Sequence, residues 1–233
     1  MRIKALTLIL VLLGMLGWVG CGQGAISSGS SWAIVSDASN AGAITDLTIQ
    51  PTGTGHLIVV GLMFNAGTYA TSVSDDAGNT YVSAQAKGFV DVHSTEIWYA
   101  VNSKPGATVV TPTFADSPTS VEITVWEVSG ISTSPPDVSN TSNGVFTLNN
   151  TPGPAVTTTQ AGDFIVSILF AVDTNISGIT SGNEFTNDFT TNGNGWAHIT
   201  ENFAPVGTHQ PSWFTSTPEG EYCASTVAFR PAR

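Results

Sequence analysis

Positive charge is what this sequence has least of. The chain of 233 residues carries 6 Lys and Arg against 17 Asp and Glu, and charged residues make up only 10% of it. Beyond residue 21 the basic residues are Lys87, Lys104, Arg230 and Arg233, so this part has a net charge of −13. A nucleic-acid partner requires a basic surface that neutralises phosphates, so we expect no nucleic-acid partner.

Helical patterns are also scarce. Beyond the N-terminal segment, no window repeats apolar residues with the 3.6-residue period of a helix. Short β-branched and aromatic runs separated by Gly, Asn, Asp and Pro are typical of strands and turns, so they predict an all-β protein. Two runs that are apolar on both faces predict covered central strands, Leu57–Phe64 and Phe164–Val172. Other predicted strands include Ser31–Ser36, Thr95–Asn102, Val121–Ser129, Val145–Asn149, Gly178–Thr180 and Tyr222–Phe229.

An internal repeat relates two halves of the chain, with offsets of 102 to 107 residues. Such a long period excludes a solenoid but fits either two sandwich modules or one jelly-roll-like antiparallel β-sandwich built from two related halves. We expect the single sandwich over residues 31–233, with halves at about 31–131 and 137–233, because the joining segment is short. The matching segments are His56–Val60 with Asp163–Ser167, Val73-Ser74 with Ile179-Thr180, and Gly78–Tyr81 with Gly182–Phe185.

The N-terminus is typical of a lipoprotein-type signal peptide, expected as a helix over residues 1–21. Arg2 and Lys4 precede a run without charge that ends at Gly20, and Cys21 follows. Cleavage before Cys21 would leave its thiol for lipidation, with residues 22–30 as a flexible tether to the membrane. We therefore expect a protein of the cell envelope or exterior, anchored to the outer membrane or cell surface. A disulfide between Cys21 and Cys223 is the alternative.

Three segments resemble one family of bacterial domains: Ser72–Tyr81, Ile97–Ala100 and Glu127–Gly130. The family occurs in secreted and cell-surface proteins, where S-V-x-D-x-x-G-N-T-Y precedes W-Y-A and E-x-S-G. The resemblance covers most of residues 31–230 and implies a β-sandwich at the cell surface. The family has no assigned activity, so the resemblance implies no catalytic residues.

Tryptophan and glutamate share strand faces in a way that suggests a carbohydrate site. Sugars stack on exposed aromatic rings while carboxylates and amides bind their hydroxyls. Strict alternation places Glu96 with Trp98 on one face of a strand and Glu122 with Trp126 on one face of another. Trp196 and Trp213 extend this candidate ligand site. The alternative is that these tryptophans fill the core of the sandwich.

Calcium is the one cofactor that a motif suggests. Asp173, Asn175, Ser177 and Glu184 have the oxygen-ligand spacing of an EF-hand loop. However, the repeat assigns residues 179–180, in the middle of this loop, to a strand, and a strand cannot wrap around an ion. The second hypothesis is therefore a polar loop followed by a hairpin, without a cofactor.

Catalytic motifs are missing from the sequence. It has no Gly-x-Ser-x-Gly, His-Glu-x-x-His or Cys-x-x-Cys pattern, and its 4 His are scattered. We predict a non-catalytic extracellular binding module, with polysaccharide as the ligand class. A structural or adhesive envelope subunit that self-associates is the alternative, and a hydrolase is a more remote one.

Overall fold

The protein is built from strands and turns, and it contains no helix within the residues that the structure describes. The structure, a computed structural model, describes residues 31–42, 45–65, 67–217 and 219–233. The first half contains β1 Ala33–Gly42, β2 Leu47–Thr48, β3 Leu57–Phe64, β4 Ala70–Asp75, β5 Val82–Val90, β6 His93–Ala100, β7 Val109–Phe114 and β8 Val121–Ser129. The second half contains β9 Val138–Val145, β10 Thr151–Pro152, β11 Val156–Thr157, β12 Phe164–Val172, β13 Ile176–Ile179, β14 Phe185–Thr191, β15 Asn194–Ile199, β16 Thr208–His209, β17 Ser212–Thr215 and β18 Glu221–Phe229.

Each half forms one five-stranded sheet, and the two sheets have corresponding strand orders. Inner sheet 1 has the order β1-β8-β3-β6-β5, and inner sheet 2 has the order β9-β18-β12-β15-β14. Each half also forms a three-stranded sheet: outer sheet 1 is β2-β7-β4, and outer sheet 2 is β10-β17-β13. Strands β11 and β16 form a further pair, and all these pairings are antiparallel. The predicted all-β, antiparallel sandwich is confirmed.

The two inner sheets pack face to face, and the outer sheets lie on their far sides. Between the inner sheets, Thr95 Oγ1 lies 2.8 Å from Ser225 Oγ, which also accepts a hydrogen bond from the backbone amide of Gly88 at 3.1 Å. On the far side of inner sheet 1, Val60 and Leu62 form a second apolar cluster with outer-sheet residues such as Val110. The protein therefore has four layers of sheet, and the central strands of the two inner sheets, β3 and β12, are covered on both faces.

The two central strands have the burial that their apolar sequences predict. Every residue of β3 is buried, and six of the nine residues of β12 are buried in an unbroken run from Phe164. Gly61 on β3 permits the close approach of the two halves, because a side-chain carbon there would lie 3.1 Å from Ile168 and 3.3 Å from Trp126. Burial on both faces explains why these strands lack alternation.

Two strands lie elsewhere than predicted. The polar segment β9 is a strand that pairs with β18 as far as Val145, whereas the prediction placed a strand at Val145–Asn149. Its alternation is weak because β9 is at the edge of its sheet. Strand β1 continues to Gly42, six residues beyond the predicted end. In the described ranges, we find no helix with the length and apolarity needed to cross a membrane.

Candidate functional site

The four tryptophans of the predicted ligand site are buried. Trp126, Trp196 and Trp213 are fully buried, and Trp98 is 8% exposed. The prediction that they form an exposed stacking platform is therefore wrong. The predicted faces are correct, since Trp126 contributes to the core between the inner sheets and Trp98 to the core beneath outer sheet 1. Another sheet covers each of these two faces, so neither Trp98 nor Trp126 points to solvent.

An exposed aromatic surface lies directly above the predicted Glu96–Trp98 pair. We define it by Tyr69, Lys87, Phe89 and Val92. The exposed fractions of Tyr69 and Phe89 are 56% and 52%, and Val92 is also exposed. Lys87 and Phe89 alternate with buried residues on β5, so they share its outward face.

Buried Glu96 holds this aromatic surface in place from beneath. Its carboxylate accepts hydrogen bonds from Trp98 Nε1 at 3.0 Å and from the backbone amide of Ala70 at 3.3 Å. Its third partner is Lys87, whose Nζ lies 3.3 Å away. Lys87 Nζ also lies 5.7 Å from the centre of the Tyr69 ring, within the range of a cation–π contact. The predicted pair thus supports an aromatic surface that is formed by other residues.

Glu122 shares a face of β8 with Trp126, as predicted, but the two side chains bind different residues of the second half. Its Oε1 accepts a hydrogen bond from Asn192 Nδ2 at 3.0 Å across the gap between the inner sheets, while Oε2 is buried without a partner among the described residues. Burial raises the pKa of Glu122, an effect that this amide opposes. Trp126 Nε1 instead donates to Asp188 at 3.0 Å. These contacts join the two halves and do not form a ligand site.

The candidate calcium ligands do not converge. Strand β13 occupies Ile176–Ile179, so the segment between Asp173 and Glu184 is extended where an EF-hand would wrap an ion. Glu184 Oε2 lies 2.9 Å from His209 Nδ1, and Glu184 Oε1 accepts the backbone amide of Gln210 at 3.1 Å. An EF-hand arrangement of Asp173, Asn175, Ser177 and Glu184 is therefore not formed, and calcium as a cofactor stays a prediction. Within the described ranges, no group of three or more His, Cys, Asp or Glu is placed to hold a metal ion.

Sequence reasoning missed three pairs of a histidine with a carboxylate. His56 Nδ1 lies 2.7 Å from Glu127, and His198 Nδ1 lies 2.6 Å from Asp188. The third pair is His209 with Glu184. Spacing could not reveal them, because the partners lie 10 to 71 residues apart in the chain. Ser36 Oγ donates to Glu127 rather than to His56, so this group lacks the hydroxyl–imidazole contact of an activated nucleophile.

A fourth unpredicted group combines two carboxyls at the junction of the halves. Asp137 accepts hydrogen bonds from the Thr159 amide and hydroxyl and forms an ion pair with Arg230 at 2.6 Å. Asp163 is buried close by, and its Oδ2 has no hydrogen-bond partner in the described residues. Burial, with a smaller contribution from the Asp137 carboxylate, raises the pKa of Asp163 to about 7.

Of the two cysteines, only Cys223 lies within the described residues. Within the described residues Cys223 has no disulfide partner, and its thiol is buried between the inner sheets, where Sγ lies 3.6 Å from the carbonyl oxygen of His93. Burial raises the pKa of this thiol to about 12, so it is a poor nucleophile. Cys21 lies outside the described residues, so its lipidation and its pairing with Cys223 both stay predictions.

Comparison with known proteins adds no relative. No protein-family model matches the sequence, and no curated protein or solved structure is significantly similar to it. The resemblance of the Ser72–Tyr81 segment to a family of surface domains therefore stays a prediction.

Proposed function

We propose that the chain is a non-catalytic, exported binding module that captures a neutral polysaccharide outside the cell. The aromatic surface is the observation that carries this proposal. About half of the surface of Tyr69 and of Phe89 is exposed, so the C–H faces of sugars can stack on these rings. Each stacked ring contributes on the order of 1 kcal/mol or more, so a polymer that contacts both gains affinity along its length.

Charge favours a neutral polymer over an acidic one. The net charge of −13 beyond residue 21 repels a polyanion. Lys87 is the one cation of the aromatic surface, and its charge is balanced by buried Glu96. Its ammonium group can still donate hydrogen bonds to sugar hydroxyls, so Lys87 adds orientation without selecting for acidic sugars.

We also propose that a lipid on Cys21 anchors the mature protein to the envelope. The basic, apolar and small-residue order of residues 1–21 supports this proposal. Mass spectrometry of the N-terminal peptide from membranes should find diacylglycerol on Cys21, and Cys21→Ser should release the protein from the membrane fraction. A peptide in which unmodified Cys21 is disulfide-bonded to Cys223 would refute the anchor.

Co-sedimentation with insoluble polysaccharides tests the proposed function. The mature protein, purified in detergent, is mixed with cellulose, chitin and insoluble mannan, each with calcium and with chelator. We expect binding to at least one polymer, unaffected by chelation. Tyr69→Ala with Phe89→Ala should weaken that binding at least about tenfold, because a hot-spot aromatic contributes on the order of 2 kcal/mol. Phe203→Ala, at another exposed phenylalanine, is the matched control and should bind normally.

Two outcomes would overturn the proposal. Equal binding by the double variant and the wild type would show that the aromatic surface is not the binding site. If no polymer binds, the same exposed rings become a candidate contact between copies of the chain. Sedimentation velocity that shows concentration-dependent association, abolished in the double variant, would then favour a structural or adhesive subunit.

A further inference from the structure

A polar pocket of about 330 Å³ opens on outer sheet 2, in the second half of the molecule. Its lining includes three amide side chains, Asn150, Asn183 and Gln210, and three hydroxyls, Thr180, Ser181 and Ser212. None of the residues that line it is charged. Its volume is at the lower end of the range for small-molecule sites.

The walls of the pocket are held by hydrogen bonds among themselves. Ser212 Oγ donates to Asn150 Oδ1 and lies 3.2 Å from Thr180 Oγ1. Asn183 Nδ2 donates to the carbonyl oxygen of Gln210 at 3.1 Å, and Gln210 Nε2 donates to the carbonyl oxygen of Gly153 at 2.9 Å. Binding would therefore order few new side chains, which lowers its entropic cost.

Some of the hydrogen-bonding capacity remains available to a ligand. Asn150 Nδ2 and Gln210 Oε1 make no hydrogen bond to the described residues, and Ser181 is exposed at the rim. The Asn150 amide nitrogen is a donor, the Gln210 amide oxygen is an acceptor, and the Ser181 hydroxyl can do both. This mixture matches sugar hydroxyls, which also donate and accept, whereas a charged ligand would find no counter-charge in the lining.

An exposed ring stands beside the pocket. Phe214 is 36% exposed, and it lies on the outward face of β17 with Ser212, two residues and about 7 Å away. Its neighbour across the sheet is Gly178, which has no side chain to cover the ring. Phe214 can therefore stack on a sugar that extends out of the pocket.

The corresponding turn of the first half differs in length and in its hydrogen bonds. The repeat aligns Val73 with Ile179, and their cross-strand partners are Pro112 and Trp213, so Thr113 corresponds to Phe214. At the turn, Asp75–Ala77 stand in place of the single residue Ser181, and Asp76 is bonded to Thr108. The polar residues of this pocket and its aromatic neighbour therefore have no counterparts at the corresponding turn of the first half, where the cavity beside Thr113 is lined by other residues.

We infer that this pocket on outer sheet 2 binds one sugar unit of a neutral glycan, with Phe214 stacked on the next unit. The inference rests on the proposed function for the class of ligand, but it rests on different residues and a different sheet. A single chain then contacts the glycan at two places, one in each half.

Titration calorimetry with soluble hexasaccharides tests the inference on the mature protein. The probes are the β-1,4-linked hexamers of glucose, mannose and N-acetylglucosamine, with hexagalacturonate as the charged comparison. We expect one neutral hexamer to bind and hexagalacturonate not to bind. Asn150→Ala and Phe214→Thr should each weaken binding about tenfold or more. Thr113→Ala, at the corresponding place in the first half, should leave the affinity unchanged.

The outcomes separate this site from the aromatic surface. Loss of hexamer binding in Asn150→Ala or Phe214→Thr, with normal binding in Tyr69→Ala, supports the pocket whatever happens with insoluble polymers. Hexamer binding that is lost only in Tyr69→Ala overturns the pocket and leaves the proposed function intact. Failure of every neutral hexamer to bind, or tighter binding of hexagalacturonate, also overturns it. Circular dichroism of each variant confirms that an effect is not a loss of fold.

Discussion

The two halves build the same turn between corresponding strands, and they finish it in different ways. In the first half, the Asp75 carboxylate accepts hydrogen bonds from the amides of Ala77 and Asn79, from Asn79 Nδ2 at 2.7 Å and from the Tyr81 hydroxyl at 2.9 Å. Asp76 caps the start of β7 through Thr108 and Val109. The two carboxylates together accept hydrogen bonds from seven donor groups on five residues, and the turn is closed.

The second half lacks both of these carboxylates. Ser181 alone separates Thr180 from Gly182, and Phe185 stands where the first half has Tyr81. The second half has neither the tyrosine hydroxyl nor the aspartate that accepts its hydrogen bond in the first half. A tyrosine at position 185 would bury its hydroxyl without that acceptor. The shorter turn leaves the polar pocket open. The two turns join corresponding strands, but the second is two residues shorter and lacks both aspartates. The first turn is structural, and the second lines a candidate binding site.

Removal of an indole between the halves should have the largest effect. Trp126→Ala should lower the free energy of unfolding by about 3–5 kcal/mol, because it opens a cavity against inner sheet 2 and removes a hydrogen bond to Asp188. Urea unfolding gives the magnitude, and hydrogen exchange resolves the two halves. We expect protection to fall in both halves. Unchanged protection in the second half would show that the halves unfold independently.

Removal of the carboxylate at the closed turn should have the next largest effect. Asp75→Ala leaves several donors without their acceptor, so we expect a loss of about 3 kcal/mol in urea unfolding. Ser181→Ala, in the open turn, is the matched control and should change stability by less than about 0.5 kcal/mol. Equal effects of the two substitutions would contradict the comparison.

Asp163, which directly precedes the central strand β12, should make the stability of the fold depend on pH. In the repeat, His56 of the first half corresponds to Asp163 of the second half. His56 pairs with Glu127, whereas burial raises the pKa of Asp163 to about 7. A carboxyl with a raised pKa keeps a proton that the unfolded chain has lost. Stability from this group is therefore complete below about pH 4 and is lost as the pH rises to about 7.

Asp163→Asn isolates this contribution. The variant should remove a decline on the order of 2 kcal/mol between pH 4 and 7, measured by urea unfolding at each pH. At pH 4 the variant and the wild type should be equally stable, since the amide resembles the protonated acid. An unchanged pH profile in the variant would rule out Asp163 as the source.

The smallest expected effects come from exchanging the aromatic residues of the two turns. Tyr81→Phe removes one hydrogen bond to Asp75 and should cost about 1 kcal/mol. Phe185→Tyr buries a hydroxyl without the acceptor that the first half provides and should also cost about 1 kcal/mol. Thermal unfolding of both variants checks these values. A stabilising Phe185→Tyr would mean that the open turn already contains a suitable acceptor.

The candidate sites could be predicted only in part. Alternation correctly grouped Glu96 with Trp98, but the exposed rings above them, Tyr69 and Phe89, lie on other segments. In the second half the prediction selected Trp213, whereas its neighbour Phe214 is exposed, because a shift of one residue along a strand exchanges the two faces. Comparing the lengths of the two repeated turns would have indicated the pocket.

By itself, the sequence determined the strand-rich class, the two fully covered central strands, the repeat and the face on which each side chain lies. These properties are local, because they follow from period, turn residues and backbone geometry within a few residues. The tertiary structure decided which faces meet solvent, which carboxylates pair with His56, His198 and His209, and which turn remains open. Those outcomes depend on segments that come together from distant parts of the chain, and no local pattern encodes whether a second sheet will cover a face.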